Sequence, residues 1–60
     1  MAHSRLKTLI VDDEAELRTS VASFLKINLP DVQFDIVEAE NGKVALDKVQ
    51  HQSFDIVLMD

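Results

Sequence analysis

The apolar pattern of the chain alternates between the period of a strand and the period of a helix, and this alternation restricts the fold more than any other feature. Residues 6–11 form a mostly apolar, β-branched run that predicts a strand. Residues 32–36 alternate apolar with polar side chains, as a half-buried strand does. Residues 54–59 have almost no polar interruption, which is typical of a strand that is covered on both faces.

Two segments between these runs predict helices. Apolar residues at helical spacing predict an amphipathic helix that contains Leu17 and ends near Asn28, ahead of Pro30, while Arg18 falls on its polar side. Residues 43–51 predict a second, shorter helix. The predicted order is therefore strand, helix, strand, helix, strand, and this order argues for an α/β fold with a parallel sheet and right-handed crossovers.

Two topologies are open to three parallel strands that are joined by two such crossovers. If both crossovers progress in one direction, the strand order is 1-2-3 and the helices lie on the same face of the sheet. If the chain reverses direction at the first strand, the order is 2-1-3 and the doubly wound sheet has a helix on each face. We predict the second order, because it makes the first strand, followed by Asp12 and Asp13, the neighbour of the third, which ends on Asp60.

Asp12, Asp13 and Asp60 would then meet in one acidic cleft, since neighbouring strands lie roughly 4.8 Å apart. Two unit negative charges about 4 Å apart repel by about 4 kcal/mol at an effective dielectric of about 20. A carboxyl that stays protonated or a bound cation must offset this repulsion. Oxygen ligands with room for water favour Mg2+ or another hard divalent ion. Because a carboxylate beside such a metal can attack a phosphoryl group, we predict Asp60 as the nucleophile and the Asp12–Asp13 pair as metal ligands.

Three motifs resemble the receiver domains of bacterial response regulators. Residues 9–14, Leu-Ile-Val-Asp-Asp-Glu, look like the signature at the end of the family's first strand. Residues 38–42, Glu-Ala-Glu-Asn-Gly, resemble the exit from its second strand, and Ala45-Leu46 matches the small-plus-leucine pair that follows. Residues 54–60, Phe-Asp-Ile-Val-Leu-Met-Asp, resemble the strand that delivers the phosphorylated aspartate. The resemblance extends over nearly the whole chain from Leu6 onward.

This resemblance implies two-component signal transduction and a flavodoxin-like fold, of which residues 1–60 would be the N-terminal half (β1-α1-β2-α2-β3). It implies that Asp13 holds Mg2+ directly, that Asp12 acts partly through water, and that Asp60 accepts phosphate from the histidine of a partner kinase or phosphotransfer protein. The family also uses a metal-ligating carbonyl two residues beyond the phosphoacceptor, a hydroxyl residue after strand four and a lysine after strand five. These groups are not among the 60 residues, so we expect the nucleophile and the acidic pair without the rest of the site.

A structural role is the alternative from a different functional class. The far edge of the third strand would be unpaired in a three-stranded half-domain, and an apolar strand edge invites pairing with another chain. A two-fold homodimer could join the third strands into one sheet, or a complementary half-domain could supply further strands. A monomer that binds Mg2+ would favour the signalling role, and an obligate dimer that is indifferent to metal would favour the structural one. Neither role makes the chain a conventional enzyme.

The composition argues against several other classes. Six Lys and Arg against eleven Asp and Glu give a formal net charge of -5, which opposes binding to the phosphates of nucleic acids. The chain has no cysteine, so neither a disulfide nor a thiolate metal site can form. The longest uninterrupted apolar run, residues 56–59, is too short to span a membrane or to serve as a signal peptide. These features are compatible with a cytoplasmic location, which is the location that we expect.

Some of these residues also have purely structural interpretations. The acidic run at residues 12–14 could simply complement the dipole and the free N–H groups of the helix that follows it. Asn41-Gly42 is typical of a turn at the entrance to a helix. The remaining candidates are expected to be structural, with two histidines on the surface (His3, His51) and three phenylalanines in the core (Phe24, Phe34, Phe54).

Overall fold

The computed structural model of the chain describes residues 4–59, and in that range three strands alternate with two helices. The elements are β1 (Ser4–Val11), α1 (Ala15–Asn28), β2 (Val32–Ala39), α2 (Gly42–His51) and β3 (Ile56–Met59). Their order confirms the predicted succession of strand, helix, strand, helix and strand. His3, predicted at the surface, and Asp60, predicted as the phosphoacceptor, lie outside the described residues.

β1 lies in the middle of a parallel sheet with the strand order β2-β1-β3. Its pairing with β2 runs along the whole strand and ends with Val11 opposite Ala39. Its pairing with β3 ends with Val11 opposite Met59. The predicted 2-1-3 order is therefore confirmed, and the 1-2-3 alternative is excluded because β2 does not lie between the other two strands. The carboxyl ends of these three strands share one edge of the sheet.

The ends of both helices follow from local sequence chemistry. α2 begins after Asn41, whose side-chain oxygen accepts a 2.8 Å hydrogen bond from the N–H of Val44. This is the N-cap role that asparagine favours, and it confirms the predicted turn at Asn41. α1 ends at Asn28, shortly before Pro30, as predicted. Neither helix in the described range is long and apolar enough to cross a membrane.

β3 begins at Ile56, later than predicted, and Asp55 joins its start to β1. The carboxylate Oδ2 of Asp55 accepts a 2.8 Å hydrogen bond from the N–H of Lys7, and the N–H of Asp55 donates one of 2.8 Å to the carbonyl of Lys7. The Asp55 side chain thus takes the place of a backbone acceptor at the beginning of the ladder. The Nζ of Lys7 lies 5.6 Å from the ring centroid of Phe54, a distance at which a cation and an aromatic ring attract each other.

The core lies between the sheet and α2. It consists of four buried residues in mutual contact (Leu9, Val11, Ala39 and Ala45). On the opposite face of β1, Ile10 lines a groove with Leu17 and Val21 of α1. Since successive strand residues point to opposite faces of a sheet, α1 and α2 cover opposite faces, as the 2-1-3 order predicts.

Much of the apolar surface that the sequence predicts to be buried is exposed. The third strand has the apolar pattern of a strand that is covered on both faces, but Val57, Leu58 and Met59 are 46%, 37% and 62% exposed. Phe24 is 63% exposed, which contradicts its prediction as a core residue, whereas the other two phenylalanines are half-buried. Within the described range α1 contacts only β1 and β2, so the side chains at the outer margin of its apolar face have no sheet beneath them.

Candidate functional site

Asp12 is held at the carboxyl end of β1 through three of its polar groups. Its N–H donates a 3.1 Å hydrogen bond to the carbonyl of Ala39 in β2. Its Oδ1 accepts one of 2.8 Å from the N–H of Glu14, and its carbonyl accepts one of 2.6 Å from Nη1 of Arg18. An aspartate oxygen bonded to the N–H two residues ahead fixes a turn, and α1 begins directly after Glu14. Asp12 therefore has a structural role at the start of α1, separate from any role in binding a ligand.

Asp13 has the opposite environment. Its side chain is exposed, and no hydrogen bond or ion pair with another residue in the range 4–59 engages its carboxylate. It lines an open cleft of about 300 Å³ at the carboxyl edge of the sheet, together with Asp12, Glu40 and Met59. A solvated carboxylate without a neighbouring donor in the described chain has its oxygens available to a ligand.

Glu40 is a further acidic residue in this cleft, and the sequence analysis did not give it a role. It directly follows β2 and is exposed. In the sequence, its position immediately after the second strand was the sign that Glu40 could belong to the site. Only the register shows that the preceding residue, Ala39, pairs with Val11, the residue before Asp12. Asn41 lines the same cleft, but its side-chain oxygen already holds the N–H of Val44.

Arg18 joins the carboxyl ends of β1 and β2. Its Nε donates a 2.8 Å hydrogen bond to Oε1 of Glu38, and its Nη1 donates the 2.6 Å bond to the carbonyl of Asp12. The Arg18 side chain is only 16% exposed, although the helical pattern places it on the polar side of α1. The long aliphatic stem of an arginine lets the guanidinium reach back to the strand ends from a helix position that the pattern assigns to the surface.

The donor atoms of the cleft suit a hard divalent cation in kind, because Asp12, Asp13 and Glu40 offer carboxylate oxygens. Within residues 4–59, however, no three acidic, histidine or cysteine side chains are close enough together to hold a metal ion. The third predicted ligand, Asp60, lies outside this range. The assignment of Mg2+ to Asp12, Asp13 and Asp60, and of phosphate to Asp60, therefore stays a prediction.

A family model described as the response regulator receiver domain matches residues 8–60 of the chain. The matched segment begins within β1 and includes both acidic residues at its end, both helices and the remaining two strands. It also includes Asp60 and the three motifs on which the sequence resemblance rests.

Two curated proteins are also similar to the chain. Protein-glutamate methylesterase/protein-glutamine glutaminase 1 from Methanosarcina mazei is 42% identical over 57 residues, which cover 95% of this chain and 15% of that protein. Sensory transduction protein LytR from Staphylococcus epidermidis is 38% identical over 55 residues, which cover 92% of this chain and 21% of that protein. The chain thus spans only a small part of either relative. No solved structure matches it at a comparable level of significance.

Proposed function

The chain belongs to the response regulator receiver domain family of two-component signal transduction, and from this we propose that it is a phosphoacceptor segment in which Asp60 is phosphorylated. The observation that carries the proposal is the pairing of Val11 with Met59 at the ends of β1 and β3. In the sequence, Asp12 and Asp13 follow the first of these residues and Asp60 follows the second. Residues that follow paired strand ends start from the same edge of a sheet, which supports a common site for the three carboxylates.

Asp13 and Asp12 would hold Mg2+ in this site together with Asp60, Asp13 directly and Asp12 partly through water. Asp13 is solvated, whereas Asp12 already uses Oδ1 to hold the N–H of Glu14, and this difference supports the less direct role for Asp12. A bound Mg2+ supplies positive charge that neutralises phosphoryl oxygens beside the carboxylates.

The reaction proposed for Asp60 is the uptake of a phosphoryl group from a histidine of a kinase or a phosphotransfer protein. A carboxylate oxygen attacks the phosphorus atom, and an O–P bond forms while the N–P bond of the phosphohistidine breaks. The electron pair of the broken bond stays on the imidazole nitrogen, and the product is an acyl phosphate. Because such donors act inside the cell, a cytoplasmic location is part of this proposal.

We propose no hydrolase activity for this segment. One relative is named for methylesterase and glutaminase activities. Those activities belong to that protein as a whole, and the chain spans only 15% of it. The carboxylates at the sheet edge suit the acceptance of a group from a partner, and the chain would then pass the signal on rather than turn over a substrate.

The proposal is tested by incubating the 60-residue polypeptide with Mg2+ and a small phosphodonor such as acetyl phosphate. We expect one phosphate-sized mass gain, removed by hydroxylamine and mapped to the peptide that contains Asp60. Uptake is expected to be slow in these 60 residues alone and faster when the complementary half of a receiver domain is added, because each missing donor to the phosphoryl oxygens costs about a hundredfold or more in rate. Labelling at another residue, or no labelling even with the complementary half, would contradict the proposal.

A second candidate function is self-assembly through β3, and the exposure of that strand favours it. Within the described residues β3 pairs with β1 on one side only, and Val57, Leu58 and Met59 are exposed. An apolar strand with a free edge recruits another strand, which a complementary half-domain or a second copy could provide. We propose that the isolated polypeptide forms a homodimer joined at β3.

The melting temperature of the isolated polypeptide is therefore expected to rise with its concentration, because dimerisation stabilises the folded state by mass action. The measurement is thermal unfolding over a hundredfold dilution series, with the mass in solution determined by sedimentation. Val57→Lys places a charge on the exposed strand and is expected to give a monomer, while Lys26→Glu on α1 serves as a charge-changing control. A flat melting temperature with a monomer mass throughout would exclude self-assembly and leave the phosphoacceptor proposal standing.

A further inference from the structure

Arg18 makes contacts that the phosphoacceptor proposal does not use. Its side chain is only 16% exposed, and its guanidinium donates to the carbonyl of Asp12 and to Oε1 of Glu38. The carbonyl of Asp12 belongs to the peptide that joins Asp12 to Asp13. Arg18 thus bonds the backbone between the two acidic side chains and ties it to the end of β2.

The backbone at Asp12 is consequently held from two directions. The Asp12 N–H bonds to Ala39 at 3.1 Å on one side, and Arg18 bonds to the Asp12 carbonyl on the other. By contrast, no side-chain hydrogen bond within the described residues restrains Asp13. The direction of the Asp13 side chain therefore depends on the fixed peptide that precedes it.

Glu38 offsets the positive charge that Arg18 places beside the Asp12–Asp13 pair. A guanidinium beside an acidic pair would repel any cation that the pair binds. Glu38 is paired with it at 2.8 Å, so the two side chains together add no net charge to the carboxyl edge of the sheet. The pair also joins α1 to β2 across twenty residues of sequence.

We propose that Arg18 is a positioning residue for the Asp12–Asp13 pair, that it acts through the Asp12 carbonyl, and that Glu38 prevents its charge from weakening cation binding. The part that concerns the cation rests on the proposed function, whereas the part that concerns the backbone does not. Arginine suits this role because its planar, forked donors can hold two acceptors at once in a fixed geometry, which a lysine ammonium on a flexible stem does not do.

The backbone part is tested by amide hydrogen exchange on the 60-residue polypeptide and on Arg18→Lys and Arg18→Met. We expect exchange at the Asp12 and Glu14 amides to become about tenfold faster or more in both variants, since a hydrogen bond to a charged group is lost. Amides in the middle of β1, such as that of Leu9, are expected to keep their protection. Lys26→Met, an exposed change on the same helix, is the matched control and is expected to leave both sets of amides unchanged.

A uniform loss of protection along the sheet in both Arg18 variants would mean that Arg18 only stabilises the fold, and it would overturn the proposal. Unchanged exchange at Asp12 and Glu14 would overturn it as well. Arg18→Lys keeps the charge and most of the aliphatic stem, so it separates the loss of the forked contact from the loss of packing.

The electrostatic part is tested with Glu38→Gln, which keeps an oxygen acceptor for Arg18 and removes the negative charge. We expect the Mg2+ affinity, measured by calorimetry, to be roughly threefold or more below that of the unaltered chain at low ionic strength, and this difference to become smaller as salt screens the guanidinium. Asp35→Asn makes the same charge change on the same strand and is expected to have a smaller effect. Equal effects of the two variants would overturn this part. If the unaltered chain does not bind Mg2+, the metal part of the proposed function fails, while hydrogen exchange still decides the role of Arg18.

Discussion

Replacing Asp13 with asparagine is expected to slow phosphoryl uptake at Asp60 by about a hundredfold or more at low Mg2+ concentration. Asp13 is the solvated carboxylate of the cleft, and its substitution removes the charge that would hold the cation. Losses of about this size follow when a single group that stabilises a transition-state charge is removed. The rate is measured as the gain of phosphate mass with time under a fixed concentration of phosphodonor.

Two comparisons make this prediction specific. Asp31→Asn, an exposed change in the turn before β2, is expected to leave the rate unchanged, and Asp60→Asn is expected to abolish labelling altogether. If Asp13 acts through the cation, raising the Mg2+ concentration should recover much of the rate of Asp13→Asn, because occupancy of the weakened site increases. A rate for Asp13→Asn equal to that for Asp31→Asn would show that Asp13 is not a ligand.

Replacing Leu9 with alanine is expected to leave most of the molecules unfolded. Leu9 is fully buried at the centre of the core, in the middle strand of the sheet. A buried leucine-to-alanine change costs about 2–5 kcal/mol, whereas the single hydrophobic core of a chain this small rarely supplies more than about 3–5 kcal/mol of stability. The fraction folded is read from circular dichroism and urea titration at one fixed protein concentration.

Leu46→Ala is the matched control for this prediction, since it removes the same atoms from a side chain that is 57% exposed. Its effect is expected to stay within about 0.5 kcal/mol. Equal midpoints of urea unfolding for the two variants would show that the packing around Leu9 does not hold the fold together. The comparison also tests whether the small buried cluster, rather than the wider apolar surface, provides most of the stability.

Where the sequence prediction succeeded, contiguous residues carried the signal. The alternation of residues 32–36, the helical spacing that follows Leu17 and the position of Pro30 are local properties, and a local pattern reports the period of its own segment. The cap at Asn41 is equally local, because it joins residues three apart. The strand order was also within reach, since only two topologies were open and the acidic residues favoured one of them.

The site was predicted only in part, because the remaining features depend on contacts between residues that are distant in the sequence. The sequence identified Asp12 and Asp13 as the residues that follow β1, but it gave them the same environment, whereas the structure makes one a half-buried turn former and leaves the other solvated. It did not identify Glu40 as part of the cleft, because that position depends on the register between β1 and β2. The phosphoacceptor role of Asp60 stays a prediction that the experiments above address.

By itself, then, the sequence determined which segments form strands and helices, the direction of the sheet and the edge at which its acidic residues follow the strands. The tertiary structure alone decided that Arg18 turns back to the Asp12 carbonyl, that Asp55 bonds to the backbone of Lys7, and that Phe24 lies in solvent. Periodicity places a Cα on one side of an element, but a long side chain can cross that boundary, and a narrow sheet can end before it covers the whole apolar face of a helix. These outcomes depend on the positions of residues that are distant in the chain, and a pattern of neighbours contains no information about such positions.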